Sequence, residues 1–285
     1  MLEAIATAAT QTWEQFKYIA PIYLIGLVLE SLRPAQARQP LGNIAFNLRY
    51  VVLFLFLTNL LQPPLQRWTQ PWIAALGGGW LKVAFPPGLA YQILQVLLFA
   101  FVVDFLYYWF HRLQHVSGVL WAQHQVHHSE QSLNVTTNNR HHWLEELLRV
   151  FLILFPLGVL FDFAPVTNAW IWAVVGLYGY FIHLNLRIEL GPLTPVLVGP
   201  QAHRIHHSVE TQHRDRNFAA FFPIFDIVFG TYHRPAKGEF PATGLHDGRT
   251  FETVTAASLA PFRDWWRRSR GVRAPGSQPM DQGPE

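Results

Sequence analysis

Residues 101–128 read FVVDFLYYWFHRLQHVSGVLWAQHQVHH, an apolar run that breaks into five histidines. The run starts at residue 89, and across 89–110 Asp104 is the single charge. A membrane helix needs about 20 mainly apolar residues, so 89–110 is predicted to cross a bilayer and to emerge from it at His111. His111 and His115 are four apart and project from one face of that helix. The same stripe runs back through Tyr108 and Asp104. A carboxylate at that depth is costly unless paired. Asp104 is therefore expected to hold the free N–H of a metal-bound imidazole.

Working outward, four more apolar segments cover 18–32, 46–62, 147–163 and 165–184. The chain of 285 residues is 51% hydrophobic and 14% charged, against roughly 25% charged in a soluble domain. Buried helices of a soluble protein can be as apolar, but a core this large would need more polar surface than the rest of the chain supplies. The predicted fold class is all-α: an integral membrane bundle of four to five segments with a cytosolic helical cap. The opening MLEAIATAATQTWEQF lacks the positive charge of a cleavable leader, so the first segment is expected to stay as an anchor.

Orientation follows from the arginines, because Lys- and Arg-rich connections stay on the cytoplasmic side. Arg33, Arg38 and Arg49 lie in or beside one connection, and most of the others follow residue 184. Placing both inside puts the amino terminus outside and brings 111–146 and the region after 184 to the cytoplasmic face. The clustered histidines fall in those two stretches. The connection 63–88, with its Pro, Gly and Trp, is predicted to be an interfacial loop on the far side. Four regions result: membrane segments and far-side loop over 1–88, a histidine-box region over 89–235, a basic membrane-surface segment over 236–273, and a disordered tail over 274–285. FRDWWRRSRGVR in the third suits an anionic headgroup layer and equally a solvated basic helix.

The chain has no cysteine, which excludes disulfides, thiolate zinc sites and iron–sulfur clusters. A net charge of +3 does not imply nucleic acid. Any metal must sit on nitrogen and oxygen. Fourteen histidines are present, and two boxes share one spacing: HQVHH with His124, His127 and His128, and HRIHH with His203, His206 and His207. On a helix the first two of each box lie near each other across a turn, while the adjacent third is rotated by about 100°. One box can thus serve two metals. One ion does not need eight imidazoles, since zinc sites close with four ligands or with three and a water. His141, His213, His233 and His246 stand outside the boxes and read as surface or structural histidines.

With the boxes in place, residues 95–235 resemble the fatty acid hydroxylase superfamily, which includes sterol desaturases, sterol C4-methyl oxidases and related lipid hydroxylases. The resemblance rests on H-x-x-x-H, H-x-x-H-H and H-x-x-H-H, and extends to HHSEQSLNVTTNNRHHWLEELL, FIHLNLRIELGPL and DRNFAAFFPIFDIVFGTYHRP. It implies that His111, His115, His124, His127, His128, His203, His206 and His207 bind two metal ions, with His183 as a ninth ligand. Some relatives carry a further histidine four residues after that one, where this chain has Arg187. His142, within an R-x-H-P-x-E element written here as Arg140, His142 and Glu145 with Trp143 in place of proline, is a candidate tenth, as are Asn185 or a water. Asp104, Tyr108, Asn185 and Glu145 are candidates for the layer that supports the ligands. The chain also has Asn217-Phe218-Ala219 where Asn-Tyr-Gly is frequent.

Imidazole suits iron, zinc, copper and nickel alike. Iron is expected because an iron pair can use O2 to oxidise an unactivated C–H bond and zinc has no redox chemistry, although zinc can occupy such a site on isolation. The resemblance then implies a hydroxylase or desaturase acting on a lipid such as a sterol, hopanoid, carotenoid or fatty acyl chain. Without a flavin, nicotinamide or haem motif in the chain, electrons must come from a ferredoxin, a cytochrome b5-like protein or a reductase. The alternatives are a non-redox zinc protein, hydrolase or transporter, and a degenerate member with a structural metal. The expected location is a bacterial inner membrane with the site facing the cytoplasm.

Overall fold

The computed structural model describes residues 1–82, 86, 88–162 and 165–272, with 165–171 as backbone only; the expected disordered tail lies outside the described residues. The protein is mostly helical. Helix α1 (Leu2–Leu32) pairs with α2 (Leu41–Ala75), and α3 (Leu89–Val116) leads through Ser117 into α4 (Gly118–His128). Helix α5 (Trp143–Arg149) continues through a wide turn at Val150–Leu154 into α6 (Phe155–Leu160). Then come α7 (Pro165–Ile182), α8 (Pro200–His206), α9 (Ile224–Val228) and α10 (Val254–Ser269). Two-residue strands β1 (Leu81–Lys82) and β2 (Phe161–Asp162) pair in parallel at the far end.

Four of the five apolar segments lie mainly in α1, α2, α3 and α7, and the described part of the other runs through α5, the wide turn and α6 into β2. Among the described residues only α2 and α3 are both long and apolar enough to cross a membrane, with Trp172–Ile182 a shorter apolar stretch. Only 22% of the most apolar part of α3 is buried, and 33% of that of α2. A soluble core helix would be mostly enclosed; here Ile93, Leu97, Phe101 and Phe105 face outward. The structure departs from the expected loop at 63–88, because α2 runs on through Pro63, Pro64 and Pro71 to Ala75. Each proline removes the donor to the residue four back and crowds that carbonyl, while the flanking turns keep the rest of the ladder. The chain turns afterwards at Gly77 and Gly79, both with positive φ.

Where α1 and α2 leave the apolar layer they meet the histidine region through a buried polar network. Glu130 accepts from Arg140 Nη1 at 2.8 Å and from Asn47 Nδ2 at 3.0 Å, and Arg140 also reaches Ser129 Oγ and the Val126 carbonyl. Burial lowers the Arg140 pKa, opposed by Glu130 beside it. Glu30 of α1 accepts from the backbone of Val135 and Asn185. These bonds set α4 and the ends of α1, α2 and α7 at one level, with Tyr23, Phe46, Tyr50, Phe54, Val126 and Val135 packed beneath.

Candidate metal centre

Nine histidines converge in two groups. His111 and His115 from α3, His124 and His128 from α4 and His206 from α8 form the first; His127, His183, His203 and His207 form the second. Within each box the first and third histidines share a group and the middle one crosses to the other, whereas the sequence reading paired the first two. The reason is angular. Residues four apart on a helix differ by about 40° and residues three apart by about 60° in the opposite sense, so a site to one side takes the i,i+4 pair. Thus α4 gives two ligand positions to the first group and one to the second, and α8 does the reverse.

The nitrogens face inward. In the first group His111 Nε2 lies 3.0 Å from His124 Nε2, and His128 Nε2 lies 3.2 Å from both His115 Nε2 and His124 Nε2. In the second, His183 Nε2 is 3.0 Å from His203 Nε2 and 3.3 Å from His127 Nε2, and His203 Nε2 is 3.2 Å from His207 Nε2. A metal–nitrogen bond of about 2.1 Å gives ligand edges of roughly 3.0 Å in an octahedron and 3.4 Å in a tetrahedron.

Protonation argues the same way. A neutral imidazole has one N–H. His111 donates its Nδ1–H to the Phe218 carbonyl at 2.7 Å, His206 to the Arg216 carbonyl at 2.8 Å and His183 to the Gly179 carbonyl at 2.7 Å. His124 donates to Glu145 at 3.2 Å and His115 to Asp215 at 3.1 Å. Each therefore turns a bare Nε2 lone pair inward, and His111 and His124 set two such pairs 3.0 Å apart. That contact repels unless a cation lies between them. Burial pushes the His124 pKa down to about 4 against the pull of Glu145, and, reinforced by neighbouring imidazoles, pushes those of His127, His128, His203 and His207 well below the usual range. The rings are neutral and available as donors, and the site fits two metal ions.

Comparison with known proteins decides the family. Residues 96–231 match the fatty acid hydroxylase family. The chain is 35% identical over 164 residues to alkylglycerol monooxygenase of Homo sapiens, covering 57% of this chain and 36% of that protein. It is 38% identical over 166 residues to the Danio rerio alkylglycerol monooxygenase, 58% of this chain and 36% of that one. It is 32% identical over 168 residues to the ornithine lipid hydroxylase OlsE of Rhizobium tropici, 59% of this chain and 50% of that one. Residues 96–231 of this chain belong to the fatty acid hydroxylase family. Its matched region spans between about a third and a half of these relatives' own length. No solved structure matches.

Around the centre of this fatty acid hydroxylase region, the other expected residues fall in different places. Glu145 is at the heart of it: its Oε2 takes His124 Nδ1, His141 Nδ1 at 3.1 Å and Gln114 Nε2 at 2.8 Å. Burial opposes ionising Glu145, and the two imidazoles outweigh it and hold the carboxyl well below its usual range. Asp104 does not touch an imidazole. Its carboxylate instead accepts the backbone N–H groups of Ala220, Phe221 and Phe222. Asp226 takes those of Phe218 and Ala219, so two carboxylates fix a five-residue loop whose Phe218 carbonyl orients His111. The Tyr108 hydroxyl meets Thr231 and Arg112. Asn185 bonds Gln36 and Arg204.

His142 is not brought to either group. It caps α5, with Nδ1 accepting from the Leu144 backbone and Nε2 donating to the Ser258 carbonyl, and both ring nitrogens are spent there. Its neighbour His141, which the sequence reading set aside, faces the centre instead and stacks on His127 at 4.0 Å and 14°. Nothing in the spacing separates the two; the turn at Arg140 and the start of α5 decide which one points in. The unexpected Asn217-Phe218-Ala219 is accommodated because Asn217 alone has positive φ, and its side chain bonds Ala202 and His233. His213, His233 and Glu239 also cluster, and Glu239 there caps the Ala236 N–H while bonding both rings, which makes it a staple between loops.

Proposed function

We propose that this protein is an O2-dependent membrane oxidoreductase that hydroxylates a lipid at an unactivated C–H bond, using two iron ions held by His111, His115, His124, His128 and His206 and by His127, His183, His203 and His207. The observation that carries the reading is the convergence of bare imidazole nitrogens at the head of a long cavity. That cavity, about 890 Å³, has His183 and His203 at one end and Gln15, Gln62 and Gln66 at the other. Gln66 lies about 28 Å further along α2 than Asn47, which sits at the level of the histidines. The walls between are mainly apolar: Phe54, Leu55, Val103, Ile153, Leu154 and Ile182. Such a shape takes an extended chain from within the bilayer and presents one part of it to the second histidine group.

The iron pair supplies the redox chemistry that O2 activation requires. The protein's own residues set the outcome. The nearly complete burial of the histidines excludes water from the reacting carbon. Glu145 and the 218–222 loop fix ring orientation, and the cavity wall fixes which carbon comes forward. Hydroxylation is favoured over desaturation because relatives named for monooxygenation and lipid hydroxylation match this chain. Electrons come from a separate donor, a ferredoxin, cytochrome b5-like protein or reductase. The remaining apolar helices join α2 and α3 in a bundle of four to five membrane segments, with the histidine layer on the cytoplasmic side of a bacterial inner membrane.

The test is isotopic. Iron-loaded protein with a reductase system, membrane lipid extract and 18O2 is expected to yield a lipid heavier by one labelled oxygen. Oxygen consumption with only unsaturated, unlabelled product would instead favour desaturation, and no O2-dependent product in any extract would contradict the oxidoreductase reading.

A further inference from the structure

The cavity wall beside the second histidine group carries a hydrogen-bond acceptor that the metal centre does not use. His141 is 7% exposed and lines the cavity. Its Nδ1 lies 3.1 Å from Glu145 Oε2, an ionised carboxylate that can only accept, so in the neutral ring Nδ1 carries the proton and Nε2 keeps its lone pair. Among the described residues Nε2 has no partner. The ring cannot share a metal with His127. The two planes are 14° apart with centroids 4.0 Å apart. Imidazole lone pairs lie in the ring plane, so those of stacked rings run side by side and do not converge on one ion at about 2.1 Å. Stacking and the Glu145 bond together hold the ring in one orientation.

The surroundings add to this. Asn138, Asn139, Glu146 and Arg149 line the same cavity. Glu146 and Arg149 are already paired at 3.0 Å, and Asn139 Oδ1 is taken by the Tyr23 hydroxyl at 2.8 Å. His141 Nε2 is therefore an oriented acceptor still open on the cavity, in contact with the second histidine group. A hydrocarbon placed there would leave it unsatisfied, which is costly in a dry site.

We propose that His141 is a substrate-binding residue whose Nε2 accepts a hydrogen bond from an O–H or N–H on the lipid, so that the protein selects lipids carrying such a donor within a few bonds of the carbon to be oxidised. The inference rests on the lipid-oxidation reading, and its test is a binding measurement that needs no turnover.

Two pairs of probes share a hexadecyl chain: a monoalkylglycerol against its di-O-methyl form, and an N-methyl amide against its N,N-dimethyl form. Each is titrated into the full-length, metal-loaded protein in detergent, wild type, His141→Leu and His141→Gln, with affinity read from ligand-dependent thermal stabilisation. Wild type is expected to prefer one or both donor-bearing lipids by about tenfold, the preferred pair telling hydroxyl from amide. His141→Leu is expected to lose that preference while still binding the chain, His141→Gln to keep part of it through its amide oxygen, and both to retain wild-type metal content. Wild type without preference, preference surviving in His141→Leu, or metal lost from the folded His141→Gln protein would each overturn the assignment. A preference with no oxidised product under 18O2 contradicts the oxidoreductase reading and leaves this one standing; labelled product with no preference does the reverse.

Discussion

Glu145 gathers three donors, from His124, His141 and Gln114, on one carboxylate oxygen. A glutamine keeps a single acceptor oxygen and loses the charge, so Glu145→Gln is expected to leave His124 free to turn. Groups that orient a ligand in this way typically contribute 10–100-fold in metal affinity. Competition with a chromogenic chelator should show a weakening of that order for one metal per chain; unchanged retention would remove Glu145 from the support of the centre. The neutral imidazoles also make a pH prediction. His124 falls from 6.5 in the unfolded chain to about 4 when folded, so the unfolded state binds more protons between those values. The stability this residue allows is complete above 6.5 and is lost as pH falls toward 4, by about 3 kcal/mol at the lower limit. Metal-free protein in detergent should therefore melt progressively lower from pH 7 to 5, and a melting point that held steady or rose would argue against buried neutral histidines. At this scale the boxes were legible because ligand spacing on a helix is a local property. The choice between His141 and His142 was not, since adjacent residues are separated only by where a turn ends and a helix begins.

Helices α4 and α8 each divide three histidines between two groups, and α3 supplies both of its own to one. The periodicity of the sequence made the helices readable and showed that one box can face two metals. It did not give the pairing, because residues three and four apart flank the same direction and the position of the partner helix decides between them. The same limit explains Asp104. Its depth in an apolar helix demanded a partner, but the partner is a loop more than a hundred residues later, and only the fold brings Ala220, Phe221 and Phe222 to it. Asp104→Asn leaves three backbone donors competing for one oxygen, and bonds to a charged acceptor contribute about 1.5–3 kcal/mol each. The variant is expected to lose about 3 kcal/mol of stability and to loosen His111 through the Phe218 carbonyl. A thermal melt and metal analysis check both; a wild-type melt would sever Asp104 from the loop. The run of α2 past Pro63 and Pro64 escaped the sequence reading because proline is a helix breaker on average, and a long apolar helix outlasts the loss of single donors.

Across the whole molecule, an outward apolar belt on α2 and α3 stands beneath a polar layer that encloses the histidines. Segment locations could be read from hydropathy, whereas the cavity could not, since its walls are ordinary apolar residues drawn from α1, α2, α3, the turn at Val150–Leu154 and α7. The absence of cysteine makes orientation directly testable. A single cysteine replacing exposed Val272 should react with an impermeant maleimide only from the cytoplasmic side, and one replacing exposed Leu76 only from the other; the opposite pattern would invert the topology. The central claim is that nine histidines hold two metal ions in separate groups. Quantitative metal analysis of anaerobically purified protein, with His115→Ala and His203→Ala alongside, tests it most directly. Two iron atoms per chain in the wild type and one in each folded variant is the expected result, while a single ion per chain, or loss of both from either folded variant, would contradict two separate sites.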